Sequence, residues 1–423
     1  MLHTRLATAT ALVLFALGCR SVSADRITDW KATTEGREKL VQALRDSSVA
    51  VPLRAEAAAA LTEVGWVERV ESALAAMPLE ERAQLIPAVV PLLARGVTAA
   101  GQPAIEAREA LFALRRQATT DAATKSIDAQ LLPALERELR AGRADEGRHT
   151  AKEMLVAIGA PALPVAARVV ADPKAPFEGA VEVVDKVGDK AGKEAGGAAL
   201  VERARAGQSL TPAFWQALGT LGGPQAIAFL EEQIEKGGER AEPAARTLAS
   251  VRRERSLLPF ALKIAGDHGA PAAVREQMLT LAQNLGGDEA RQGLVKMIET
   301  EPDPAFRYRI YEAAVKGDAK AILPALEAFP DKAVYDPAAL REHLVAPLAG
   351  MGWPAREGIF KALKSRSPLA RLTAVWALEK VGFESDAPQV VKLSADRGKV
   401  KGVPPTIGAE ATRVAAGLKK PAT

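Results

Sequence analysis

The chain has 423 residues, 56 Lys and Arg against 52 Asp and Glu for a formal net charge of +4, 48% hydrophobic residues, 4% aromatics and one cysteine. A lone cysteine excludes a disulfide framework, and interspersed charges without a basic run between aromatics argue against a nucleic-acid footprint. At this length a single compact core is not expected, so the chain either divides into domains or builds its core by repetition.

Residues 1–18 open with MLHTR and run through an apolar stretch, Leu6 to Leu17, to Gly18. A basic start followed by an apolar run too short to span a bilayer has the form of a secretory signal. Ala16-Leu17-Gly18-Cys19 resembles a bacterial lipobox. The resemblance implies cleavage before Cys19, a diacylglyceryl group on its thiol, and a chain held by lipid in the bacterial cell envelope. The competing reading is an ordinary signal or a buried helix with a stray cysteine. Each buried acyl CH₂ contributes about 0.8 kcal/mol, so several chains on one residue anchor a protein without a spanning helix. Arg20 rather than Asp follows the cysteine, which by the same resemblance favours the outer membrane, facing the periplasm. Residues 19–36 are polar and patternless and are expected to form a flexible tether with a reach of roughly 20 to 25 Å.

Residues 37–420 read as successive helix pairs: 37–64, 66–95, 97–127, 128–158, 161–187, 192–221, 224–252, 254–285, 288–316, 319–351 and 354–381. A degenerate pair at 385–418 suits a cap. Pro161, Pro224, Pro271 and Pro354 sit where a new helix begins, a position that tolerates a missing N–H. Three stretches break the rhythm. QATTDAATKSID, around 118–128, lacks an apolar stripe; VGDKAGKEAGG, 187–197, reads as a hinge between two halves; PDKAVYDP, 330–337, reads as an enlarged inter-helix loop.

The pairs share a signature. From Arg371, Ala374 lies at +3, Leu378 at +7 and Gly382 at +11, within about 80° of one another on a helix. The same offsets run from Arg54 to Gly65, Arg148 to Gly159, Arg275 to Gly286 and Arg341 to Gly352. With Gly96 and Gly222 in register, ten periods cover the 317 residues from Gly65 to Gly382, 31.7 each. The glycine suits a helix C′ position of positive φ, and a small +3 residue admits a neighbouring helix. Arginine in a first turn opposes the helix dipole and calls for a nearby acid; Asp46, Asp145, Asp267 and Asp336 are the upstream candidates.

Arg-x-x-Ala-x-x-x-Leu-x-x-x-Gly on a helix pair of this length resembles the short bacterial HEAT-like repeats, over nearly the whole chain after the signal. The resemblance implies an all-α fold, a right-handed α-solenoid (superhelix) of about eleven or twelve helix pairs with the second helices lining a concave face. The period is shorter than the 40 to 47 residues of longer HEAT and armadillo units. Tetratricopeptide repeats are nearest in length, but their Trp and Tyr pattern is missing.

No stretch carries catalytic chemistry. GDKAGK, 188–193, is one residue short of a phosphate-binding loop and has Glu194 where Ser or Thr would hold Mg²⁺. His149, His268 and His343 are too scattered for a metal site and are expected at the solvated surface. Acidic pairs such as Glu80-Glu81 fit helix starts. Trp66, Trp353 and Phe383 each follow a junction glycine, at +12 from a repeat Arg; they are candidate protein-binding anchors or pack across the junction onto the next unit. Trp215 and Trp376 are expected in the core, and the +2 positions Glu56, Thr150, Gln277, His343 and Thr373 at exposed, variable sites. The reading is a protein-binding scaffold or adaptor, non-enzymatic, held to a membrane by its N-terminal lipid, with no cofactor, metal or nucleic acid. The alternatives are an accessory of the bilin-lyase HEAT-like type, onto which no residue here carries that chemistry, and a lipoprotein that stacks with itself.

Overall fold

A computed structural model describes residues 22–143, 146–251, 254–316 and 318–418. Cys19 and the signal-like segment 1–18 lie outside them. The chain forms two compact units, 1–226 and 227–423. In the first, the helices are α1 (Ala24–Trp30), α2 (Thr34–Arg45), α3 (Val51–Glu63), α4 (Val67–Ala75), α5 (Leu79–Val97), α6 (Gln102–Gln117), α7 (Asp121–Arg140), α8 (Ala151–Ile158), α9 (Leu163–Ala171), α10 (Glu178–Val187), α11 (Lys190–Arg205) and α12 (Pro212–Leu221). The boundary falls inside α13 (Pro224–Lys236). The second unit continues with α14 (Ala241–Ser250), α15 (Leu258–Ala265), α16 (Ala272–Leu285), α17 (Gly287–Thr300), α18 (Pro304–Val315), α19 (Ile322–Glu327), α20 (Pro337–Leu340), α21 (Ala346–Met351), α22 (Arg356–Ala362), α23 (Pro368–Val381), α24 (Ala387–Val391) and α25 (Ile407–Gly417). Among the described residues there is no strand, and no helix is long and apolar enough to cross a membrane.

The architecture is an all-helical solenoid of HEAT-like pairs. In the first unit α3 packs on α2 and on α5, and α6 on α4, α5 and α7; in the second α16 packs on α14 and α15, and α23 on α22 and α25. A helix that meets its pair mate and the equivalent helix one repeat along can bury its stripe only in the stack. The starts are written in the sequence: Thr33, Thr120, Thr150, Asp189, Thr211, Asp303, Ser367 and Thr406 each accept a backbone N–H of the first turn. The +3 and +7 signature residues Ala57, Leu61, Ala151, Leu155, Met278, Ala282, Leu344, Leu348, Ala374 and Leu378 are all fully buried.

The repeat arginines resolve the dipole conflict in a way the upstream aspartates do not. Arg54 Nε donates to the Leu44 carbonyl (3.0 Å) and its Nη2 to Glu81 (2.8 Å). Arg275 donates to the Ala265 carbonyl (2.9 Å) and to Glu301. Arg371 donates to the carbonyls of Ser365 (2.8 Å) and Arg366 (2.9 Å) and to Asp396 (2.7 Å). In an antiparallel pair the first turn of the second helix lies beside the last turn of the first, so Arg54 and Arg275 cap the mate's negative end, while Arg371 ties the loop that follows α22. The acid of each comes from the following repeat. Asp46, Asp267 and Asp336 instead accept backbone N–H groups of Ser48, Gly269 and Ala339, tightening their own turns; Asp145 lies outside the described residues.

Two signature arginines depart from the pattern. Arg148 precedes α8 in a loop and pairs with Glu68 at 3.4 Å. Arg341 opens a π-turn, Arg341–Val345, in which the Ala346 N–H reaches back to the Arg341 carbonyl. Pro347 next in the chain has no N–H to give His343, and the extra residue per turn absorbs that loss. Arg203 and Arg307 perform the capping role without the signature, donating to the carbonyls of Val170 and Ala175 (3.0 and 2.8 Å) and of Glu301, while Arg108 donates to the Glu146 carbonyl (2.7 Å) in the loop before α8.

Gly65, Gly159, Gly286 and Gly352 adopt φ of 76°, 79°, 62° and 62°, the left-handed region their position requires. Gly382 ends α23 at φ −84°, and Gly96 lies in the last turn of α5 against Ala107 rather than at the position past the helix end. Other expectations are corrected as well. The stretch 19–36 is not a featureless tether, because α1 and the start of α2 occupy most of it and Ile27 is buried. Residues 121–128 open α7, with Ala123 and Ile127 buried. Of the 187–197 stretch, Lys190 onward is the first half of α11, not a loop; a Cβ on Gly197 would fall inside contact with the Gly222 carbonyl oxygen and one on Gly196 would crowd Leu221, so these two glycines serve close packing on the end of α12. The 330–337 segment is a loop whose buried Tyr335 donates its hydroxyl to the Pro330 carbonyl (2.7 Å) and its N–H to the Lys401 carbonyl (2.9 Å).

Candidate protein-binding surface

The junction aromatics are presented by the turns that the repeat glycines make. Gly352, at φ 62°, turns the chain out of α21 into a short 3-10 turn, Trp353–Ala355, and leaves Trp353 71% exposed. Phe383 occupies the equivalent place one repeat later. Because equivalent positions stack, the two rings meet with centroids 6.4 Å apart. Arg356, in the first turn of α22, holds the group together: its guanidinium lies 4.6, 5.2 and 5.3 Å from the ring centroids of Trp353, Phe360 and Phe383. It also donates to Asp386 (2.6 Å) and to the Val381 carbonyl (3.2 Å), capping α23. Burial pushes the Asp386 carboxyl up, but the hydrogen bonds from Arg356 and the Phe383 N–H (2.8 Å), with the Arg356 charge, more than offset it and hold it below the usual carboxylate range. The cluster is thus fixed from beneath and open above.

Phe360 and Asp386 also line a cavity of about 640 Å³ with Leu363, Lys364, Ser365 and Leu393 among its walls. Its volume lies within the range of about 300 to 1,000 Å³ typical of ligand sites. Arg371 reaches the same cavity with its charge already matched by Asp396.

Trp66 does not join an aromatic cluster. The residue at the corresponding place after Gly96 is Val97, so Trp66 is half-buried between Arg37 and Arg69, at 5.9 and 5.8 Å. Trp215 and Trp376 lie in the core. Arg341 covers the Trp376 ring at 4.1 Å, and the indole N–H donates to Glu410 (2.7 Å). Glu379 accepts from Arg413 (2.6 Å) and Arg341 (3.1 Å), which hold its carboxyl down to about 2. A carboxylate so held is a poor base at neutral pH, so this cluster ties repeats together rather than moving protons.

His268 is exposed as expected, while His149 and His343 are half-buried. The His149 ring lies 2.7 Å from buried Glu109 and edge-on to Phe112; His343 stacks on Tyr308, centroids 5.0 Å apart, with Nδ1 3.0 Å from Glu312; His268 Nε2 is 3.6 Å from Glu301. Among the described residues no three His, Cys, Asp or Glu side chains are grouped to hold a metal ion. Of the +2 positions, Thr373 is fully buried and Glu56, Thr150, Gln277 and His343 are half-buried, so that offset does not mark an exposed row. The sequence signal for the surface was the +12 aromatic; Arg356 and Phe360, which complete it, carry no signature offset.

No protein-family profile matches the chain, and no curated protein matches it. Among solved structures, Kap121p is 14% identical with a TM-score of 0.44 over 89% of this chain and 41% of that one. Kap121p bound to RanGTP is 13% identical with a TM-score of 0.39, over 96% and 46%. Importin beta is 12% identical with a TM-score of 0.29, over 92% and 58%. The chain therefore spans about two fifths to three fifths of the lengths of these proteins, and a likeness at this level says nothing of its partners.

Proposed function

We propose that this chain is a protein-binding scaffold of the cell envelope, lipidated at Cys19, that engages a protein partner around Trp353 and Phe383. One observation carries the binding site: in a chain with 4% aromatics, a tryptophan 71% exposed stands beside a second ring and a cavity, on a base fixed by Arg356. Exposed aromatics on a rigid base are the residues in which binding energy concentrates. The envelope location rests on the lipobox-like Ala16-Leu17-Gly18-Cys19, and an anchor there would confine the search for a partner to the membrane surface.

The test is a photo-crosslinking residue introduced at position 353 in intact cells, with exposed Glu299 as the control position. A discrete adduct at 353, not at 299, that disappears in a Phe383→Ala background supports the site; no adduct, or the same adducts at both positions, overturns it. The anchor is tested separately: Cys19→Ala should abolish lipid labelling and membrane association, and unchanged association would remove that part of the reading.

A further inference from the structure

The charge around the cavity is not that of the chain as a whole. Between 356 and 401 there are ten Lys and Arg and five Asp and Glu, a net charge of +5, while all 423 residues net +4. The acids of this segment that touch the site are already matched: Asp386 by Arg356 and Asp396 by Arg371, both as close ion pairs (2.6 and 2.7 Å). Lys364 and Lys392 line the cavity, are exposed, and have no carboxylate partner among the described residues. Arg366, Arg397, Lys399 and Lys401, from the turns that flank it in sequence, are likewise exposed and without a carboxylate among the described residues. Elsewhere the exposed cations are commonly paired, as Lys263 with Glu235, Lys236 with Glu232 and Arg309 with Glu276 are.

Beside these cations the cavity wall is mixed: Phe360, Leu363 and Leu393 are apolar, Ser365, Ser385 and Gln389 are neutral and polar, and the exposed Trp353 and half-buried Phe383 adjoin it through Phe360 and Arg356. A concave site with three apolar side chains in its wall, two lysines free of carboxylates on its rim, one carboxylate (Glu327) held at Ser365, and an aromatic shoulder is complementary to an extended segment in which carboxylates alternate with apolar side chains. The apolar groups enter the cavity and the carboxylates meet the lysines. An anionic membrane surface would match the charge but not the shape, since a bilayer is met by a protruding or flat apolar face.

Resting on the scaffold reading above, we infer that the partner docks here through an acidic peptide segment carrying apolar anchors, with Lys364 and Lys392 reading its carboxylates. The geometry makes these two lysines determinants of specificity and encounter rate, with the cavity and Trp353 supplying the apolar contact.

The experiment uses the full chain and a short fluorescein-labelled peptide alternating Glu with Leu and Phe, followed by anisotropy. The Glu peptide should bind, with an affinity that falls as salt rises, and the same peptide with Lys in place of Glu should not. Lys364→Glu/Lys392→Glu should raise the Kd by about tenfold or more, with an unchanged helical circular-dichroism spectrum, since both side chains are exposed. Equal binding of the two peptides, or a Glu peptide indifferent to the double variant, overturns the inference. So does recruitment of the chain by phosphatidylglycerol vesicles in a manner that needs these lysines and excludes the peptide, or self-association of the chain that does so. If position 353 still gives its discrete adduct in cells while the Glu peptide fails, the scaffold reading stands and only the acidic chemistry falls.

Discussion

Arg275 has one hydrogen bond to a carbonyl at the end of the preceding helix and one ion pair to Glu301, which is 2% exposed. Removing the cation leaves a buried carboxylate with its desolvation cost and without its main compensation. Arg275→Ala should therefore destabilise the second unit by about 3 to 5 kcal/mol, read as a fall in the urea midpoint; Arg275→Met with Glu301→Gln should recover much of it. A loss below about 1 kcal/mol for the single variant would mean the pair behaves as a surface salt bridge. Thr373 makes the opposite case. Its hydroxyl is fully buried with no hydrogen-bond partner, so Thr373→Val, which keeps the shape and removes the polar atom, should be neutral or stabilising by about 1 kcal/mol. Substantial destabilisation in thermal melts would show that the hydroxyl is satisfied in solution.

Helices approach one another closely only where a residue type permits it. Gly197 in α11 faces the Gly222 carbonyl, and a methyl there has nowhere to go. Gly197→Ala should cost about 1 to 3 kcal/mol as α11 and α12 are forced apart. Gly417, in the last turn of α25, has open space where a Cβ would stand, so Gly417→Ala should stabilise by up to about 1 kcal/mol through helix propensity alone. The two substitutions are chemically identical, and chemical denaturation of both separates packing from propensity. If they behave alike, the close approach of α11 to α12 is wrong. Gly196 and Gly197 looked like part of a hinge in the sequence for the same reason that they pack well: a residue without a side chain reads as loose in one dimension and as close contact in three.

Across the whole molecule the repeats are joined by carboxylates held in the charged form. Hydrogen bonds and charge from Arg413 and Arg341 hold Glu379 at about 2, and Glu136, Asp396 and Glu410 are also lowered. A carboxylate whose folded pKa is depressed adds stability that is complete above its unfolded value, about 4.3 for Glu, and lost as pH falls through the folded value. Stability should thus be flat from pH 7 to about 5 and then decline toward pH 2. Glu379 alone contributes about 1 to 2 kcal/mol once the half-exposed Arg413 is discounted for screening. Glu379→Gln should flatten the acid limb of a plot of urea midpoint against pH; an unaltered limb would show that the Arg413 and Arg341 pairs do not act in solution.

The period, the helix pairs and the core row were legible from residue order alone, because a helix that buries one face every 31.7 residues must repeat small and apolar types at fixed offsets, and +3 and +7 proved buried in every signature copy. Residue order also singled out Trp353 and Phe383, since position after a junction glycine is a local property. What each polar group faces became visible once the repeats were stacked. The acid for Arg54, Arg275 and Arg371 comes from the next repeat rather than from upstream, and α1 occupies a stretch whose sequence shows no stripe. Arg341 is redirected by a π-turn, and Thr373 is buried at an offset that is half-exposed in its siblings. Period follows from one helix meeting the core. Partnership depends on which residues the stacking of separate repeats brings within about 3 Å of one another, and no offset along a single helix encodes that.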